Sequence, residues 1–215
     1  LQVRGWSDEL TRGLILAGIG SATWWWHWVR RLALSETATA WHVVVFLFGI
    51  LPGVVAAVVS GGVVLYTVLA WAFGVSSASD AAQHFAVLVP AAAFALLGMG
   101  SWRYHYAVLR ERIGPHEVPG NAARAYRYLL AGAGLLTASS GFAVGLAVAI
   151  DGLIPIDDLI RPGDWWRDQL SVTLTLVIVG APLWWAAWSS TQRLVESWGA
   201  EERDALPRRA FIFTI

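Results

Sequence analysis

Five long apolar runs constrain this chain more than any other feature: residues 10–28, 43–75, 85–102, 129–154 and 170–188. Away from their boundary turns they lack Asp, Glu, Arg and His, apart from Asp151 near the end of the fourth. A helix needs about 20 residues to cross a hydrocarbon core of about 30 Å, and each run approaches or exceeds that length. Only 14% of the residues are charged and 57% are apolar, against about a quarter and about half in a soluble domain. The expected fold is all-α, a polytopic transmembrane helix bundle forming a single domain. With their flanks, its five spans cover about residues 10–30, 41–75, 83–110, 124–154 and 168–192. The second run is longer than one perpendicular crossing needs. Pro52-Gly53 and Gly61-Gly62 interrupt it, and either half alone is too short, so one helix kinked at Pro52 is expected.

The odd-numbered spans end alike. Residues 20–31 read GSATWWWHWVRR, residues 98–110 read GMGSWRYHYAVLR, and residues 180–193 read GAPLWWAAWSSTQR. Each holds a glycine, three residues and a tryptophan (Gly20 and Trp24, Gly98 and Trp102, Gly180 and Trp184), then a basic exit. The fourth span is entered through Arg124-Ala-Tyr-Arg-Tyr, and Arg209-Ala-Phe-Ile-Phe stands where a sixth helix would begin. Duplication of a helical hairpin of roughly 80 residues accounts for this alternation. The pattern resembles an uncharacterised bacterial integral-membrane domain family of unknown function that occurs in tandem copies. The second span departs from it, with Trp41-His42 in place of the arginine and tyrosines. The resemblance implies an architecture and no activity.

All fifteen basic residues are arginine, and there is no cysteine. Lysine Schiff-base chemistry and thiolate metal sites are therefore excluded within this stretch. Eleven arginines fall on the side of the Trp-rich exits, while Arg4, Arg12, Arg161 and Arg167 fall on the other. By the positive-inside tendency the Trp-rich ends face the cytoplasm, in a bacterial inner membrane. The arginines then meet anionic lipid rather than nucleic acid. The chain opens at Leu1 without a signal-peptide pattern, and it is expected to be an excerpt of a longer one.

His27, His42 and His105 lie near the same boundary on three helices. Neutral imidazole is the usual protein ligand for haem iron or a transition metal, so these are the cofactor candidates, for a haem or a pigment. The third exit has Ala187 in the corresponding place, and an interfacial histidine also serves as a polar tip at the headgroup level. No metal site is expected. Trp24, Trp25, Trp26, Trp28, Trp102, Trp184, Trp185 and Trp188 form the expected lipid or partner interface. Successive helical residues point about 100° apart, so the consecutive tryptophans cannot all face lipid. Gly61 and Gly62, and Ser140 and Gly141 within the TASSG segment 137–141, are expected to let the second and fourth spans touch. The connection 151–168, with Asp157, Asp158, Asp164 and Trp165-Trp166, reads as a solvated loop with an interfacial anchor.

Without ionisable groups inside the spans a proton-coupled pump is disfavoured. The expected function is non-enzymatic: a structural or accessory membrane subunit whose aromatic helix ends hold lipids, further copies of itself or partner proteins. A haem- or pigment-binding redox subunit is the first alternative, and a channel or small-molecule transporter the second.

Overall fold

The computed structural model describes residues 3–26, 45–75, 80–112, 121–153, 164–199, 208–209 and 211–212. His27, Trp28, His42 and the loop residues Asp157 and Asp158 lie outside them. The chain divides into two units, Leu1–Val44 and Val45–Ile215. The first contains α1 (Val3–Trp25). In the second, a π-helical turn (Val45–Ile50) passes directly into α2 (Leu51–Ala72). There follow α3 (Ala81–Phe85), α4 (Leu88–Arg112), α5 (Asn121–Leu153) and α6 (Trp165–Trp198).

Four described helical runs are long and apolar enough to cross a membrane: Phe46–Ala72, Ala81–Leu109, Arg124–Leu153 and Trp165–Ser197. The expected fifth, α1, is not among them. Its first turns carry Arg4, Asp8, Glu9 and Arg12, and tryptophans of modest hydropathy close it, so its strongly apolar stretch is short. The interruption at Pro52 takes the form of the π turn, with the proline in the first turn of α2. The third run starts earlier than sequence patterning places it. Asp80 caps α3 by accepting a 2.7 Å hydrogen bond from the Gln83 backbone N–H. The helix breaks at residues 86–87, and Pro90 then sits in the first turn of α4.

Two antiparallel hairpins make up the second unit. Helices α5 and α6 share its most extensive interface, α2 and α4 the next, and α2 also packs on α6. Each hairpin crosses on a pair of glycines. A methyl group at Gly53 would lie 2.8 Å from the Trp102 nitrogen and 2.9 Å from the Gly98 oxygen, and one at Gly98 would lie 2.7 Å from the Gly53 oxygen. In the second hairpin a methyl at Gly134 would lie 2.8 Å from the Trp184 Cα, and one at Gly180 would lie 2.8 Å from the Gly134 oxygen. Lipid and leucine are equally apolar, so helices in a bilayer gain from close backbone approach, and small residues permit it. Many of the buried side chains are accordingly small or hydroxylated, among them Ala70, Ala91, Ala131, Thr67, Ser171 and Thr191, beside larger ones such as Ile50 and Leu109. Thr67, Ser171 and Thr191 return their hydroxyl protons to carbonyls one turn back in their own helices.

Large apolar side chains point outward. Phe94, Leu96, Leu97, Leu136 and Phe142 are all more than 60% exposed, the reverse of a soluble core and an exposed apolar surface far beyond isolated residues.

The expected contact between Gly61-Gly62 and residues 137–141 is not made directly. A methyl at Gly61 meets nothing within 4 Å, and at Gly62 the nearest atom is Cγ2 of Thr175, at 3.9 Å. Gly141 instead faces α6, with the Leu176 Cβ at 2.7 Å and the Thr173 oxygen at 3.0 Å from its methyl position, while Ser140 is exposed. Because α6 packs on both α2 and α5, the two patches turn towards it. A cavity of about 410 Å³ lined by Gly62, Tyr66, Thr137, Thr175 and valines remains where they converge.

Candidate functional site

At the arginine-bearing ends α4 and α5 meet through Tyr126, which touches Trp102 and Tyr106. A cavity of about 370 Å³ opens there against α6. Helix α4 contributes Met99, Trp102, Arg103 and Tyr106, and their spacing of three, four and seven residues puts them on one face. Helix α6 contributes Leu183, Ala186, Ala187 and Ser190 by the same spacing, and α5 contributes Tyr126, Arg127 and Leu130.

One hydrogen bond ties the walls together: the Trp102 indole N–H donates to the Tyr126 hydroxyl at 2.5 Å. Tyr126 is buried, edge-on to Phe46 with centroids 5.8 Å apart and tilted against Tyr106 at 5.9 Å. Its aromatic body fills the seam between hairpins while its hydroxyl accepts the indole proton. Arg103 is exposed at the rim. Nη1 of Arg127 is buried and has no hydrogen-bond partner among the described residues. Among the described residues no carboxylate lines the cavity.

Of the three candidate histidines, His105 alone is among the described residues. It is buried, with its ring in a groove that exists because residue 49 is glycine: a methyl there would overlap the imidazole carbons. Its Nδ1 lies 2.8 Å from the Ser101 carbonyl oxygen of its own helix, an acceptor that favours the proton on Nδ1. The described residues contain no group of three or more His, Asp or Glu placed to share a metal ion.

The tryptophans divide by role. Trp24, Trp25 and Trp26 are 43–51% exposed at the end of α1, and Trp185 is exposed on α6. Trp102 donates to Tyr126, and the backbone of Trp184 lies in the glycine crossing. Trp188 stacks on Phe211 with centroids 5.9 Å apart, and Phe211 also meets Tyr128 at 5.3 Å. An arrangement therefore recurs. Tyr126 docks on Phe46 and Tyr106 of the hairpin before it, and Phe211 docks on Tyr128 and Trp188.

At the opposite ends the Tyr66 hydroxyl donates to Oδ1 of Asp168 at 2.7 Å, a second tie between hairpins. Nε2 of His84 lies 2.8 Å from the Thr67 carbonyl oxygen, and the ring packs with Trp71 and Phe85. Arg167 stacks over Trp166, its guanidinium carbon 5.7 Å from the ring centre. Sequence reasoning singled out neither Tyr66 nor Arg127. A lone tyrosine in an apolar run was the only signal for the first, and the entering Arg-x-Tyr-x-Tyr segment the only one for the second.

No curated protein and no solved structure matches the chain. Residues 124–215 match the model of a family described as a domain of unknown function, DUF5671, and the match begins at Arg124, where the Arg-x-Tyr-x-Tyr entrance to the second hairpin starts.

Proposed function

We propose that this is a non-enzymatic structural or accessory subunit of a bacterial cytoplasmic membrane, whose aromatic, arginine-bearing helix ends hold lipids, further copies or partner proteins. The observation that carries the reading is the division of its surface. Mid-helix positions expose Leu, Phe and Val, whereas Trp102, Arg103, Tyr126, Arg127 and Trp188 gather at one end. Tryptophan, tyrosine and arginine at that level match a headgroup zone, and the arginine excess directs that end to the cytoplasm.

In this reading α1 is a fifth span, since 23 residues at 1.5 Å each extend about 34 Å. The unit of construction is a repeated hairpin. Gly53 and Gly134 stand 81 residues apart, and Gly98 and Gly180 stand 82 apart; the matching crossings and the recurrent aromatic docking support duplication.

Purification of the full chain from its native membrane in mild detergent tests the function. Stable co-purifying subunits or a defined homo-oligomer are expected; a strictly monomeric, partnerless protein would overturn the reading. A native absorption spectrum separates it from a haem- or pigment-binding subunit. A visible-region band that persists through purification and is lost on replacing His27, His42 or His105 would establish that alternative instead.

A further inference from the structure

We infer that the cavity between α4, α5 and α6 binds the phosphate of an anionic amphiphile, with Arg127 and Arg103 holding the phosphate and Met99, Leu130 and Leu183 holding the start of its apolar chain. The inference rests on the membrane reading proposed above and specifies the lipid class that one site would take.

Three observations converge on it. The first is Arg127, which lines the cavity and whose Nη1 is buried without a partner among the described residues. A guanidinium placed beside a partly apolar cavity is costly to desolvate, and an anion bound in that cavity offsets the cost. The second is the sign of the lining: two arginines and, among the described residues, no carboxylate, with the hydroxyl of Tyr106 as a further donor. Guanidinium groups match phosphate oxygens in charge and in paired hydrogen-bond geometry. The third is that the remaining lining is apolar, formed by Met99, Leu130, Leu183, Ala186 and Ala187. A site for free phosphate has no use for that surface, whereas a phosphate carried on a hydrocarbon chain buries both parts.

The volume agrees. At about 370 Å³ the cavity is at the small end of ligand pockets, which run from about 300 to 1,000 Å³. It accommodates a headgroup and the first methylenes, while the chains continue into the bilayer. An anionic glycerophospholipid meets every term: phosphate, net negative charge, and a chain leaving along the helices.

The test uses the full chain in an uncharged mild detergent, with three probes: short-chain phosphatidylglycerol, short-chain phosphatidylcholine and inorganic phosphate. Binding is read by native mass spectrometry and by the shift in melting temperature. Phosphatidylglycerol is expected to bind and raise the melting temperature, and the other two are expected to do so far more weakly. Arg127→Gln should weaken phosphatidylglycerol binding about tenfold or more, the scale of one lost charge-assisted hydrogen bond. The exposed Arg193, outside the cavity, serves as control, and Arg193→Gln should leave binding unchanged. Leu183→Trp, which fills the cavity without altering charge, should abolish binding and keeps the test decisive where Arg127→Gln fails to fold.

Equal phosphatidylglycerol binding by wild type, Arg127→Gln and Leu183→Trp would overturn the site. Inorganic phosphate binding as tightly as the lipid would overturn the amphiphile. These measurements need no partner protein, so the site and the accessory-subunit reading can fail separately.

Discussion

The hairpins α2/α4 and α5/α6 cross in the same way and fill their arginine-bearing ends differently. Gly53 with Gly98, and Gly134 with Gly180, bring backbone against backbone to nearly the same depth. One turn further out they part. In the first hairpin the His105 ring occupies the groove at Gly49, whereas 82 residues later the corresponding pair is Ala131 and Ala187, both buried. A large side chain against a glycine in the first hairpin stands at positions that hold two small, buried side chains in the second. The π turn belongs to the same difference. Phe46 and Tyr128, which receive the docking aromatics Tyr126 and Phe211, stand 82 residues apart, while Gly53 and Gly134 stand 81 apart. The first hairpin thus has one extra residue between docking position and crossing, and a π turn is the helical geometry that absorbs one. The two crossings are alike where the helix ends beside them differ.

The largest effects are expected where the comparison finds identity. Gly180→Leu and Gly98→Leu must each drive two helix backbones apart, and loss of about 3 kcal/mol or more is expected, the upper range for overpacking. Thermal unfolding in detergent, followed by circular dichroism, measures it. If one hairpin tolerates the change and the other does not, the two crossings are not equivalent.

Next comes the place where the hairpins differ. Gly49→Ala alone should destabilise by about 1–3 kcal/mol, because the added methyl overlaps the imidazole of His105. His105→Ala alone removes the ring that fills the groove. The double variant recreates the Ala131/Ala187 pair, and it should recover at least about 1 kcal/mol relative to the sum of the single changes. Additive losses would separate His105 from Gly49.

How much of this was legible in the chain depends on what each residue type reports. The Gly-x-x-x-Trp spacing marks Gly98 and Gly180 as parts of a repeated helix exit, and only the fold shows that they lie in the crossings. Gly53 and Gly134 carried no such mark. A glycine in an apolar run looks the same whether it faces a helix, as Gly53 does, or has open space around it, as Gly61 does. In the sequence Arg127 is one of eleven arginines on a side, and its place in the cavity depends on how α4, α5 and α6 pack, which is a tertiary property. His105 was singled out for its imidazole, and its groove was invisible because Gly49 lies 56 residues away in sequence.

The same distinction orders two smaller substitutions. Gly141→Leu should destabilise by about 1–3 kcal/mol, since Leu176 and the Thr173 carbonyl leave it no room. Gly61→Ala should be neutral or stabilising by up to about 1 kcal/mol, the helix-propensity difference, with no steric penalty. An unchanged melting temperature for Gly141→Leu would remove that residue from the α5/α6 interface.

The smallest effects concern two hydrogen bonds that tie one hairpin to the other at opposite ends, Trp102 to Tyr126 and Tyr66 to Asp168. Tyr126→Phe and Tyr66→Phe keep the rings and delete the hydroxyls. Interhelical side-chain hydrogen bonds in membranes average about 0.6 kcal/mol, so each variant should melt only slightly below wild type. The two should still differ. The Tyr126 hydroxyl is the acceptor for an indole N–H in a buried seam, and its loss strands that donor, whereas Asp168 is exposed and regains water when Tyr66 is truncated. Tyr126→Phe is therefore expected to cost more than Tyr66→Phe, and Trp102→Phe combined with Tyr126→Phe to recover part of the difference, because no donor is then left unpaired. The reverse order would place the stronger tie at the Asp168 end and make the seam beside the Arg127 cavity the looser of the two.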